Sequence, residues 1–163
     1  MDQSGFTAFY QQTALSLRGY IRRVSGDPQT ADDLLQETYL RFLRAQPAAG
    51  DHAAMKAYLY KTATAVIYDR WRRQRRERLW SLAFRFREES LPDTGAGDVT
   101  RCFQKLNPRE RALLWLAYVE GYAHNEIART LDLSEKSVKV LLFRARRHLE
   151  RILRQNGLIE VAS

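Results

Sequence analysis

One cysteine, Cys102, stands in the 163 residues, which excludes an internal disulfide, a multi-thiolate zinc site and a two-cysteine redox switch. The three histidines, His52, His124 and His148, are scattered without ligand-like spacing, so each is expected on the surface or between helices, and no metal is expected. No uninterrupted apolar run approaches membrane-spanning length. The first residues, Met1-Asp2-Gln3-Ser4-Gly5-Phe6, lack the basic start and apolar centre of a signal peptide, and a cytoplasmic protein without membrane insertion is expected. Strand patterns are nearly absent, there is no internal repeat, and nothing marks a nucleophile, a phosphate loop or a general base. Asp33 and Glu37 are spaced to share a metal on one helical turn, but no histidine accompanies them. The chain is therefore not expected to be an enzyme, and no cofactor is expected.

Positive charge and helical periodicity remain. Lysine and arginine number 27 against 19 acidic residues, a net +8, as suits a nucleic-acid partner. Turn-forming clusters fall at Gly26-Asp27-Pro28, at Gln46 to Asp51 and at Leu91 to Asp98. They predict helices over about 5–24, over 27–45 with Asp27 as N-cap and Pro28 at the first position, and over 52–78. Phe6, Phe9, Tyr10, Leu15, Leu17 and Ile21 fall on or near the apolar face of the first. Beyond the third cluster about four more helices follow, one of them capped by Asn107 before Pro108 and stopped by Gly121. The fold class is all-α: a three-helix domain over 1–79, a linker over 80–98 in which Leu82, Phe84 and Phe86 suggest some helix or docking, and a four-helix domain over 99–163.

Three segments carry functional patterns. Residues 122–149 read as two helices meeting at a tight turn, a helix-turn-helix. Ile127, Ala128 and Leu131 share one face, Asp132 suits a left-handed turn position, and Ser134 with Glu135 suits a helix start. The second helix would bury Val138, Leu141, Leu142, Ala145, Leu149, Ile152 and Leu153, leaving Lys136, Lys139, Arg146, Arg147, Arg151 and Arg154 outside. In such motifs the start of the second helix meets base edges, which nominates Lys136, Ser137, Lys139 and Val140, while the later arginines meet phosphate. The bland alternative is an amphipathic helix whose cations form a solvated face.

In the second predicted helix, Ala31, Leu34, Leu35, Thr38 and Phe42 face one way, and Asp32, Asp33, Gln36, Glu37, Leu40 and Arg41 the other. Early acids also suit the helix dipole, but that leaves Leu40 unexplained on a polar face. A basic partner helix making one apolar contact explains both. The third helix interleaves Tyr58, Tyr60, Tyr68 and Trp71 with Lys61 and an arginine run from Arg70 to Arg78, a pattern suited to stacking bases and following a backbone. Taken alone it could equally serve RNA.

In this order the three segments resemble the extracytoplasmic-function class of the sigma-70 family of RNA polymerase sigma factors, over nearly the whole chain. The run from Gly26 to Arg41 looks like the region 2 helix that binds the β′ clamp helices of the polymerase. Tyr58 to Arg73 looks like the segment that melts and holds the −10 element, and Leu106 onward like region 4, which reads the −35 element and touches the β flap. The resemblance implies core-polymerase contacts at Asp33, Gln36, Glu37 and Leu40, and −10 contacts at Tyr58, Lys61, Thr64, Arg70, Arg72 and Arg73. It implies −35 contacts at Lys136, Ser137, Lys139, Val140, Arg144 and Arg147. It also implies capture of a flipped −10 base near Gln46 to Asp51, and an anti-sigma factor as a further partner. Ala65 stands where the family usually has asparagine, Asp132 replaces the usual turn glycine, and Val140-Leu141 replaces a more polar pair. Two rivals remain at this point: a helix-turn-helix regulator that works without being a polymerase subunit, and an adaptor whose acidic helix binds a protein while its basic helices are incidental.

Overall fold

The computed structural model describes residues 2–45, 47, 50–82 and 97–160, with backbone only for 80–82. Among these residues there are seven helices and no strand: α1 (Gln3–Ser25), α2 (Ala31–Ala45), α3 (His52–Leu82), α4 (Asp98–Gln104), α5 (Pro108–Tyr118), α6 (His124–Leu131) and α7 (Glu135–Gln155). The predicted linker residues Phe84 and Phe86 lie outside the described residues, as do Gln46, Ala48 and Ala49 of the predicted base-capture loop. No described helix is long and apolar enough to cross a membrane.

The first three helices form one bundle. α1 starts where the Asp2 carboxylate accepts from Gly5 N at 2.7 Å, and stops where Gly26 turns left-handed at φ 71° and donates to Arg22 O. Its core side is Phe9, Thr13, Leu17, Tyr20, Ile21 and Val24. Two expected core residues are not there: Leu15 is 86% exposed, and Tyr10 is exposed with its ring against Tyr39. Steps of three and four from Leu17 bypass position 15, and Tyr10 lies where the stripe reaches the edge of the bundle. α2 begins at Ala31, not at Pro28, because the Asp27 carboxylate accepts from Gln29 N at 3.0 Å and closes a turn of its own. The helical ladder then starts with Leu34 N donating to Thr30 O. α3 runs four residues past its expected end, to Leu82. Phe9 stacks on Phe42 at 5.2 Å, and the paired hydroxyls Thr13–Tyr39 and Tyr20–Thr64, each 2.7 Å apart, satisfy the buried oxygens among them.

The last four helices pack around Leu106, Leu113, Leu116, Ile127, Val138, Leu142 and Ala145. α5 carries the expected cap in full: Asn107 Oδ1 accepts from Glu110 N at 2.8 Å, and Glu110 Oε1 accepts from Asn107 N at 3.1 Å. The other Glu110 oxygen lies 2.7 Å from His148 Nδ1, tying α5 to α7. Cys102 is buried as a free thiol.

The two helix sets also pack on each other, with α5 against α1 and both α5 and α6 against α3. Gly19 of α1 faces the Trp115 indole of α5, which would lie 4.0 Å from a Cβ at that position. Arg111, only 5% exposed, donates from Nε to Val24 O across the joint at 2.7 Å and from Nη1 to Gln104 O and Leu106 O on its own side. Burial lowers its pKa to about 10. Gly26, at φ 71°, lies beside the same guanidinium, which would be 3.6 Å from a Cβ there. The Tyr60 ring stands between Tyr20 and Tyr122, at 5.1 and 5.9 Å, and its hydroxyl donates toward Glu120 Oε1 at 3.2 Å.

Candidate nucleic-acid interface

Three outward faces hold the residues nominated from sequence. On α2 the split follows the periodicity. Ala31, Leu34, Leu35, Thr38, Tyr39 and Phe42 are buried, while Asp32, Asp33, Gln36 and Leu40 are exposed. Leu40 is 46% exposed, and Leu43, three residues on, is 42% exposed, which widens the apolar spot beyond what the sequence reading named. Asp32 is drawn aside by Arg18 at 3.0 Å. Glu37 is drawn aside by Arg41 at 2.9 Å, leaving Asp33 and Gln36 beside the two leucines.

Arg41 does more than hold Glu37. It also reaches Asp69 on α3 at 3.1 Å, and Asp69 in turn holds Arg72 at 2.8 Å. This alternating series carries charge from the acidic face of α2 to the basic end of α3. The Arg72 and Arg41 partners hold the Asp69 carboxyl below its usual range, and Glu37 with Asp69 raises the Arg41 pKa. The Glu37–Arg41 and Asp69–Arg72 spacings, one helical turn each, are legible in sequence, whereas the Arg41–Asp69 link between helices is not.

On α3, Tyr58, Lys61, Arg72 and Arg73 are exposed and Arg70 is half-buried. Tyr58 leans its ring on Phe42 at 5.9 Å. Thr64 departs from the expected contact set: it is 3% exposed and bonded to Tyr20 and to Tyr60 O, because its position on α3 faces α1. Beyond Lys61 the helix leads into an open groove of about 520 Å³ lined by Arg41, Trp71, Arg72, Arg75 and Arg76. Arg75 covers the Trp71 ring, 5.3 Å from its centroid. Rings and guanidinium planes in one groove can stack bases while cations meet phosphates.

The helix-turn-helix forms as its local chemistry dictates. Asp132 adopts the left-handed conformation at φ 57°, the one non-glycine among the described residues to do so. Ser134 Oγ then accepts from Ser137 N at 3.2 Å and starts α7. Val138, Leu142, Ala145 and Ile152 are buried, with Leu141, Leu149 and Leu153 partly so. Lys136, Lys139, Val140, Arg144 and Arg147 are exposed, whereas the Ser137 hydroxyl is engaged by Ser134 at 2.8 Å. Phe143, 54% exposed beneath the Arg147 guanidinium at 6.0 Å, was not among the nominated residues. Its place one turn beyond Val140 was the available signal.

The C-terminal set also carries an apolar groove of about 510 Å³ between α4, α5 and α7, lined by Val99, Phe103, Trp115, Val119, Leu149 and Leu153. The Trp115 Nε1–H there is buried without a protein partner.

Known proteins share this organisation. The sequence matches the family model for Sigma-70 region 2 over residues 9–77 and that for Sigma-70, region 4 over residues 96–149. It is 30% identical over 158 residues to the ECF RNA polymerase sigma factor SigL of Mycobacterium tuberculosis, covering 92% of this chain and 89% of that protein. It is also 30% identical over 162 residues to the ECF RNA polymerase sigma factor SigF of Caulobacter vibrioides, covering 94% and 90%. The fold is that of the sigma factor RpoE in complex with the anti-sigma factor NepR from Bartonella quintana, with TM-score 0.73, 20% identity and coverage of 92% and 97%. It also matches CnrH in complex with the cytosolic domain of CnrY, with TM-score 0.70, 22% identity and coverage of 94% and 90%.

Proposed function

Because the chain belongs to the extracytoplasmic-function class of the sigma-70 family of RNA polymerase sigma factors, we propose that its three outward faces divide the work of promoter-specific initiation among them. It is a transcription initiation factor and not an enzyme.

The exposed Asp33, Gln36, Leu40 and Leu43 on α2 form the contact to the β′ clamp helices of core polymerase, with Glu37 and Arg41 framing it. The observation that carries this reading is two half-exposed leucines on the face that carries the acids of α2, Asp33 among them without an ion pair to any described residue, in a chain of net charge +8. An apolar contact ringed by carboxylates suits a partner helix rich in arginine. Tyr58, Lys61, Arg70, Arg72 and Arg73 hold the melted −10 strand along the α3 groove. Thr64 serves this role only by fixing α3 against Tyr20. Lys136, Ser137, Lys139, Val140, Arg144 and Arg147 meet the −35 duplex, the first four near base edges and the arginines along phosphate. The β flap contact falls on the Trp115 groove, an apolar recess of the C-terminal set, and an anti-sigma factor competes for these same faces. Such a protein works in the cytoplasm, where polymerase and promoters are.

The test is run-off transcription with purified core polymerase and genomic promoter fragments, comparing wild type with Asp33→Arg/Glu37→Arg. Specific transcripts from wild type and none from the double variant are expected. Equal activity of the two removes the role given to the α2 face, and specific duplex binding by the free chain without polymerase would favour the independent regulator.

A further inference from the structure

We infer that Val140 reads the C5-methyl group of a thymine in the −35 element, so that promoters served by this chain carry an A·T pair at the step facing it. The inference rests on the −35 reading of α7 above and gives that face a base preference.

The outward stripe of α7 runs Lys136, Val140, Arg147 and Arg151 at steps of four and seven, opposite the buried Val138, Leu142 and Ala145. Val140 is 47% exposed in the middle of it. A β-branched residue is a poor helix former at an exposed position and gains nothing there by packing. It also offers neither donor nor acceptor, so it cannot recognise the hydrogen-bonding groups of a base edge. The thymine methyl is the one apolar feature that the major groove presents. Pressed against a cytosine amino group or a guanine oxygen, the valine methyls would strip water and return no bond. Against the thymine methyl, both surfaces leave water together.

The surroundings select DNA as the occupant. Lys136, Lys139 and Arg144 flank Val140, and none of them makes an ion pair among the described residues, so a polyanion meets free cations on either side of the apolar tip. Leu141 packs inward and is no reader. The ring of Phe143 is partly covered by Arg147, which leaves Val140 as the open apolar point nearest the helix start.

Holoenzyme reconstituted from this chain and core polymerase would select from promoter fragments randomised across the −35 region. One position enriched in thymine is expected for wild type, and its enrichment should be lost with Val140→Ser. Replacing that thymine by uracil removes only the methyl group. The substitution should weaken wild-type binding about fourfold, the effect of exposing one buried methyl-sized group, and should leave Val140→Ser, which has no methyl group, little changed. An enriched element in which uracil is neutral at every thymine, or costs the variant as much as wild type, overturns the inference while sparing the −35 reading. A holoenzyme that forms but enriches no −35 sequence overturns both.

Discussion

The helices α3 and α7 are both long and basic, yet they occupy opposite situations. α3 packs against α1 and α2 of its own bundle and against α5 and α6 of the other, whereas α7 packs chiefly against α4, α5 and α6 of its own set. The cations differ in the same sense. Arg72 of α3 is held by Asp69, which also holds Arg41, and Arg75 lies on Trp71. Lys136, Lys139 and Arg144 of α7 are unpaired among the described residues. An engaged cation such as Arg72 releases one partner to take another, so its net gain from a phosphate is small. A free cation such as Lys139 would gain the full, salt-sensitive electrostatic term. Equal basicity in the sequence therefore conceals cations in two different electrostatic situations.

The sharpest way to break this contrast is to remove a core side chain from each helix. Tyr60→Ala takes out the ring shared by both bundles and should cost roughly 3–5 kcal/mol, with amide exchange accelerated in α1 and in α6 alike. Leu142→Ala should cost roughly 2–5 kcal/mol, with acceleration confined to 97–160. Matching exchange patterns for the two variants would refute the central placement of α3. Next in size, Arg111→Met leaves three carbonyls without their donor and should lower stability by about 1.5–3 kcal/mol. Scattering should show a radius of gyration above the roughly 15 Å of a compact chain this long; an unchanged radius would remove Arg111 as the tie between the bundles.

A smaller effect separates the cations. Lys139→Ala should lower the salt slope of −35 duplex binding by about 0.9, the share of one phosphate contact. Arg72→Ala should lower the slope for single-stranded −10 DNA by less than about 0.7, since Asp69 keeps Arg41. Equal changes would erase the distinction between engaged and free cations. Smallest of all, Asp132→Gly relieves a left-handed turn and should raise the urea midpoint by the equivalent of up to about 1 kcal/mol, offset in part by the entropy that glycine loses. A lower midpoint would show that the aspartate side chain, not tolerance of the turn, decides this position.

Much of α7 was legible because its core side and its charged side alternate with the helical period, so Val138, Leu142 and Ala145 could be separated from Lys136 and Lys139 on paper. α3 resisted the same treatment. Tyr60 and Thr64 are buried against elements from two directions, which removes the single apolar stripe that a period search needs. Hence Thr64, polar and next to exposed positions, read as a DNA contact when it is a buried hydroxyl. The caps at Asn107 and Ser134 were legible because their partners lie three residues away. The Asp27 turn was misread because Pro28 is equally at home at a helix start and in a turn. Arg111 could not be recognised at all: its acceptors, Val24 O, Gln104 O and Leu106 O, are backbone atoms, and one lies in another domain.

The Arg111 joint has a thermodynamic consequence for promoter choice. Elements named −10 and −35 are centred about 85 Å apart on B-DNA at 3.4 Å per base pair, while a compact chain of 163 residues is roughly 40 Å across. A chain that held both elements at once would need its two bundles apart, and the Arg111–Val24 bond opposes that separation. On the −10 and −35 roles proposed above, promoter-competent molecules would be the open fraction of the population, and apparent affinity would fall in proportion to that fraction. A residue facing no base, Arg111, would thereby set one threshold for every promoter at once, with weak elements below it and strong ones above.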